Sequence, residues 1–348
     1  MIIIRKSRVN KGNYENTTDG NRKYVAELYK EYLANAAQEN VWSYLVPGTP
    51  SQIDINDTMK ELANLQARNV TLSRSEVSFL IGTVLGDSSL QYSSASNTNP
   101  RLSCAHSARQ SEWLFWKAQI LWQILTQQTE PRGRAATTSY QSPKNSHQEK
   151  AIPAYDGEVF CRIRLQTPVS PCLTTLHKLM YQGKDKVILR SYLNYTDSTF
   201  LMALWLDDGS LNSGYQGMFS LVMFSEKELD RFCKWMKVAW NLDMTRSALK
   251  QNEKKIDIYP RGVYFNNQDQ LKNFLRIVAP LIPVKTMIYK VCWCAQNNTD
   301  ATQRWKTELK GLIREEWHTT IESYYENLVG ESNTLGRRTL IIESNYQS

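Results

Sequence analysis

The 348 residues predict an α+β fold built from two pseudo-symmetric αββαββα repeats, and three observations carry that expectation. An apolar, helix-like stretch closing on an acid occurs twice, running into Asp87 and again into Asp208. Alternating sequence of the kind that forms half-buried strands follows each acid. A serine with Gln or Glu three residues on, the pattern of a capping box, then opens a helix at matching distance: Ser107 lies 20 residues after Asp87, and Ser225 lies 17 after Asp208. Agreement in both order and spacing is what a duplicated unit produces.

The elements follow in sequence. Residues 1–72 form an extension, helical around Tyr24 to Gln38 and broken at Pro47-Gly48-Thr49-Pro50. The first repeat, 73–192, opens with Ser75 to Leu85, where Gly82 and Gly86 sit among bulky residues and permit close helix approach. Its strands are expected at Arg101 to Ala105 and Val159 to Gln166. In the latter, Val159, Cys161, Ile163 and Leu165 share one face, and Phe160, Arg162, Arg164 and Gln166 share the other. The helix after Ser107 carries Trp113, Trp116, Ile120 and Ile124 in a core-facing stripe. Polar, basic Thr126 to Ala151 is expected to be a loop, and a further helix is expected at Leu173 to Tyr181.

The second repeat, 193–300, opens with Ser198 to Asp208 and places Ala203 among its bulky residues. Strands are expected at Met218 to Phe224 and Ile256 to Phe265. Helices are expected from Glu226, with Leu229, Phe232, Cys233, Met236 and Trp240 inward, and at Leu271 to Val278. Residues 301–348 form a tail, helical around Trp305 to Tyr325.

Composition narrows the class. Hydrophobic residues are 41% and charged residues 22% of the chain, ordinary globular usage that excludes wholesale disorder. The longest apolar run, Leu114 to Leu125, is broken by Lys117, Gln119 and Gln123, so no membrane span is expected. Lys and Arg (42) exceed Asp and Glu (34), a net charge of +8 that favours a polyanionic partner. Among the six cysteines, Cys292 and Cys294 are one residue apart, the wrong spacing for a zinc half-site. The start has no secretory pattern. Its early bases (Arg5, Lys6, Arg8, Lys11) leave an organellar address, mitochondrial or chloroplast, and a bacterial cytoplasm both open.

Two nine-residue stretches bring a family into view. Leu80-Ile-Gly-Thr-Val-Leu-Gly-Asp87-Ser88 and Leu201-Met-Ala-Leu-Trp-Leu-Asp-Asp208-Gly209 resemble the paired motifs of the single-chain LAGLIDADG homing endonucleases, most closely the group of the yeast mitochondrial omega-intron endonuclease. Leu281-Ile282-Pro283 followed by Met287-Ile288-Tyr289-Lys290 is similar to that group's closing segment, and Lys184-Asp185-Lys186 resembles its counterpart in the first copy. The motifs depart from the pattern at Leu85, Ser88 and Leu206, but both keep the acid at the eighth position.

The resemblance implies a site-specific, double-strand DNA endonuclease that cuts across the minor groove of a long asymmetric target. It also implies a monomer whose two motif helices pack together beneath antiparallel, saddle-shaped DNA-binding sheets. Asp87 and Asp208 are then the metal ligands and, with Lys186 and Lys290, the catalytic residues, with Lys184 the rival to Lys186. The expected ion is Mg²⁺, with Mn²⁺ able to substitute. Arg162, Arg164, Gln166, Lys255, Tyr259 and Arg261 are the expected DNA contacts. The chemistry agrees with these residue types: hydrolysis of a phosphodiester needs an activated water and a stabilised leaving oxygen, which hard cations held by carboxylates supply. Asp207 is expected to support or solvate rather than ligate. His106 reads as a structural residue. A maturase on the same scaffold, binding host intron RNA, is the alternative function, and a DNA-binding regulator without catalysis is a third.

Overall fold

A computed structural model describes residues 64–65, 70–92, 97–107, 110–126, 139–141, 162–167, 169–212, 216–247, 251–252, 255–256, 262–295 and 298–330. In chain order the main elements are α1 (Arg74–Leu85), β1 (Ser88–Gln91), β2 (Arg101–Ser107), α2 (Ser111–Thr126), β3 (Ser139–Gln141), β4 (Arg162–Gln166) and α3 (Pro171–Met180). There follow α4 (Arg190–Tyr195), α5 (Ser198–Asp208), β5 (Gly209–Asn212), β6 (Gln216–Phe219), α6 (Glu226–Trp240), β7 (Met244–Arg246), β8 (Val263–Phe265) and α7 (Gln268–Val278). Helices α8 (Thr299–Leu312) and α9 (His318–Gly330) close the described chain. The fold is α+β, with antiparallel sheets. Among the described residues no helix is long and apolar enough to cross a membrane.

Two four-stranded sheets share one plan. The first runs β1-β2-β4-β3 and the second β5-β6-β8-β7, so the fourth strand of each copy lies between the second and third. Register matches too: Ser88, next after Asp87, pairs with Cys104, and Gly209, next after Asp208, pairs with Phe219. The described residues fall into two compact units, one holding those up to Gly86 together with those from Thr175 on, the other holding Asp87–Thr174.

In the first unit the paired motif helices form the centre. Ser73 caps α1 in a reciprocal box, accepting from the Glu76 amide at 3.2 Å while its own amide donates to Glu76 at 2.7 Å. Asp197 caps α5, accepting from the Thr199 amide at 2.9 Å, and its other oxygen accepts from Ser75 Oγ of α1 at 2.8 Å. The Asp197 amide donates back to Ser78 Oγ at 3.0 Å. The two helix starts are thus laced by a carboxylate with no solvent exposure. Nearly all of α1 and α5 is buried, as the lack of a polar face in either stretch requires. Around them Trp205 meets Phe219, Phe265 and Phe274 edge to face at 5.0–6.3 Å. The tail joins this core through buried Trp305, Leu309 and Ile321, and Tyr325 donates to the Trp293 carbonyl at 2.7 Å.

The second unit is the first sheet covered by α2. Leu90, Leu102, Cys104, Ile163 and Leu165 point inward against buried Trp113, Trp116, Ile120 and Ile124.

Four local expectations need correction. Ser107 ends β2 rather than capping a helix, because α2 starts at Ser111. The segment expected as a loop at Thr126 to Ala151 contains β3, which pairs with β4. The strand expected through Phe224 stops at Phe219: the Ser220 amide donates to the Asp208 carbonyl at 2.9 Å, and a turn follows. Ile256 to Phe265 is divided, since Lys255–Ile256 pairs with Gln251–Asn252 whereas Val263–Phe265 belongs to the second sheet. The helix expected at Tyr24 to Gln38 lies outside the described residues.

Candidate functional site

The motif helices approach through their small residues. A Cβ on Gly82 would stand 2.7 Å from the Phe200 carbonyl oxygen and 3.0 Å from Ala203 Cβ; a Cβ on Gly86 would stand 2.7 Å from Asp207 Cβ. In the aligned motifs Gly82 corresponds to Ala203 and Gly86 to Asp207, so equivalent positions meet, as a pseudo-twofold arrangement demands. Asp207 is buried beside Gly86, and Asp208 is half-buried at the end of α5.

Each motif end receives a lysine. Lys186 donates from Nζ to the Gly86 carbonyl at 3.0 Å, and Lys290 donates to the Gly209 carbonyl at 2.5 Å. Both ammonium groups therefore sit on main-chain oxygens one residue from a motif acid. The supports are comparable: Lys186 lies in a tight hairpin directly after α3, with Tyr181 opposite it, and Lys290 lies in the 3₁₀ segment Lys285–Val291 after α7. Trp205 of α5 donates to the Lys290 carbonyl at 3.0 Å, which ties that segment to its motif helix. Lys290 is 8% exposed, whereas Lys184 stands exposed in the hairpin turn.

In the other unit Asp87 is exposed at the start of the first sheet, with Oδ2 3.5 Å from His106 Nδ1. The same nitrogen lies 3.3 Å from Gln110 Oε1, and His106 Nε2 lies 3.2 Å from Lys117 Nζ. Lys117 is fully buried on α2. Sequence reasoning missed this pair. The available signal was Lys117 itself, four residues from Trp113 and one from Trp116, and thus inside the apolar stripe of an amphipathic helix.

The outward face of the first sheet carries part of the expected polar row. Arg164 and Gln166 are half-exposed between inward Ile163 and Leu165, and Arg101 donates to Gln166 Oε1 at 3.4 Å, adding a cation that sequence reasoning did not name. Arg162 lies on β4 and Lys255 in a two-residue ladder, but their side chains are outside the described residues, as are Tyr259 and Arg261 altogether. The described outward row of the second sheet is instead Ser210, Met218, Tyr264 and Thr245, set side by side by the register.

The arrangement is a duplicated αββαββα unit whose motif helices meet at small residues, with a lysine on the main-chain carbonyl at each motif end. The family model of the LAGLIDADG DNA endonucleases matches residues 77–263, more than half of the sequence. The chain belongs to that family. Four solved chains match the structure. One is the homing endonuclease I-WcaI bound to its DNA recognition sequence, similar with a TM-score of 0.50 and 17% identity over 70% of this chain and 96% of that one. No curated protein matches.

Proposed function

We propose that this endonuclease is a monomeric, divalent-metal-dependent homing enzyme that recognises a long asymmetric duplex and cuts both strands across the minor groove. The observation that carries the reading is the lysine at each motif end: two independent segments, after α3 and after α7, each bring a cation to a carbonyl beside a motif acid. A chance arrangement gives no reason for the same placement twice.

Asp87 and Asp208 are the residues that hold the metal in this reading, and carboxylate oxygens suit a hard ion such as Mg²⁺, or Mn²⁺ in its place, over a thiophilic one. When bound, such an ion lowers the pKa of its water and stabilises charge on the phosphate. Lys186 and Lys290 contribute fixed positive charge to the scissile phosphates. Their grip on the backbone orients them before substrate arrives. Arg164, Gln166 and Arg101 on the first sheet, with Arg162, Lys255, Tyr259 and Arg261, supply groove and phosphate contacts. The net charge of +8 supports a polyanionic partner.

The test is selection of cleavable sites from a randomised duplex library, followed by plasmid cleavage. Wild type is expected to linearise the selected plasmid in Mg²⁺, and the double variant Asp87→Asn, Asp208→Asn is expected to bind it without cutting. Cutting by the double variant would remove these acids from the mechanism. Rescue of intron splicing without cleavage of any duplex would favour the maturase.

A further inference from the structure

We propose that Lys117 and His106 form a positioning relay that aims the carboxylate of Asp87, and that this relay exists in only one of the two copies. The inference rests on the nuclease reading of Asp87.

His106 faces inward from β2 with its side chain 1% exposed, and both ring nitrogens are engaged. Nε2 lies 3.2 Å from Lys117 Nζ, which stands 5.2 Å from the centre of the Trp113 ring. As an ammonium Lys117 has donors only, and Nε2 then accepts. A neutral imidazole that accepts at Nε2 carries its hydrogen on Nδ1. That nitrogen is hydrogen-bonded to Gln110 Oε1 at 3.3 Å, and Asp87 Oδ2 lies 3.5 Å from it. Lys117 in that state sets the tautomer, which places the Nδ1 donor beside Gln110 Oε1 and one oxygen of Asp87. In this tautomer the imidazole orients the acid, as partners behind a metal-binding carboxylate commonly do.

The second copy shows that the fold does not need this pair. Because Ser88 pairs with Cys104 and Gly209 with Phe219, His106 corresponds to Leu221. Helices α2 and α6 each begin five residues beyond those positions, so Lys117 corresponds to Phe232. Leu221 and Phe232 are 1% and 0% exposed. An apolar pair fills the same places in the same architecture. Burying a lysine and a histidine where Leu and Phe suffice carries a desolvation penalty, and the donor presented to Asp87 is what the polar pair adds.

The repeat itself supplies the decisive variant: His106→Leu with Lys117→Phe, the residues of the second copy. On a supercoiled plasmid carrying the selected target, this protein is expected to melt and to bind DNA in Ca²⁺ as wild type does. Its cutting of one strand should slow by about 10- to 100-fold, so that nicked circles accumulate before linear product. His106→Asn, whose amide N–H can stand where Nδ1–H stands, should recover most of the lost rate. Independently of metal and DNA, ¹⁵N spectra of the imidazoles, with only four histidines to assign, should show the Nδ1–H tautomer at His106 and lose that preference in Lys117→Met. Linear product at the wild-type rate, equal slowing of both strands, an Asn variant as slow as the Leu/Phe one, or an Nε2–H signal in wild type would each overturn the relay. If wild type cuts no selected duplex, the nuclease reading fails, while the spectra still decide whether Lys117 sets the tautomer.

Discussion

Gly86 and Asp207 stand so close that a Cβ on the glycine would lie 2.7 Å from the Cβ of the aspartate. The helices that carry the two motif acids are thus in contact at their ends as well as at Gly82 and Ala203, and helix separation there is set by the absence of side chains.

Substituting Gly82 by Ala should therefore force α1 from α5, since the added carbon meets the Phe200 backbone oxygen, which cannot rotate away. A loss of about 1–3 kcal/mol is expected from overpacking, read as a lower denaturation midpoint, together with a fall in cleavage from the displaced motif ends. A variant as stable as wild type would show that the helices can part freely.

Asp197 is the second structural hinge of this pair, buried and bonded to Ser75 and to the Thr199 amide. Asp197→Ala removes a helix cap and strands the Ser75 hydroxyl. About 1–3 kcal/mol of stability should be lost, with Kd for DNA unchanged at temperatures where the variant remains folded.

For the lysines, Lys290→Met and Lys186→Met are each expected to lower the cleavage rate by about 10²-fold or more while leaving DNA binding in Ca²⁺ nearly intact, the pattern of lost transition-state stabilisation. Lys184→Met, altered at an exposed turn position, should cut at nearly the wild-type rate. Reversal of the Lys184 and Lys186 effects in a side-by-side kinetic assay would exchange their assignments.

Arg164→Ala on the outward face of β4 should weaken target binding by about 1–3 kcal/mol if its guanidinium reads a base edge, and should relax preference at that position. Binding isotherms across a salt series separate this from a phosphate contact, which would lower affinity for all sequences alike and reduce the salt slope.

The tail has a pH signature. Lys306 and Lys310 bond to Glu322 and hold its carboxyl below the ordinary range, and Arg276 does the same for Glu308. A carboxylate depressed on folding stabilises above its unfolded pKa, and that contribution disappears as pH falls through the lower folded value. Acid should therefore loosen α8 and α9, and Glu322→Gln with Glu308→Gln should flatten that dependence in thermal melts between neutral and acidic pH. Because these groups are partly exposed the effect is small and shrinks with salt.

Much of this architecture was legible from residue pattern alone. The motif helices read as apolar stretches, the strand expected at Val159 to Gln166 and the stripe of α6 follow simple periodicities, and the lysine segments carried a family resemblance. Other features depend on pairing that no local pattern encodes. The short strands β3 and β7 draw their stability from neighbours far along the chain. Ser107 has the pattern of a cap yet is held as the last rung of β2 opposite Arg162. Trp205 and Lys290 are 85 residues apart, and their hydrogen bond exists only once α5 and the 3₁₀ segment have packed. The link between His106 and Lys117 joins a strand to a helix, so neither period two nor period 3.6 reveals it.

The identical strand order of the two sheets, filled by unlike residues, has an evolutionary reach. A scaffold that holds its shape with either a polar or an oily pair at equivalent positions lets each half drift on its own. Under the proposed function, new asymmetric targets then become accessible one half at a time, by changes that leave the opposite half's grip on its own stretch of duplex undisturbed.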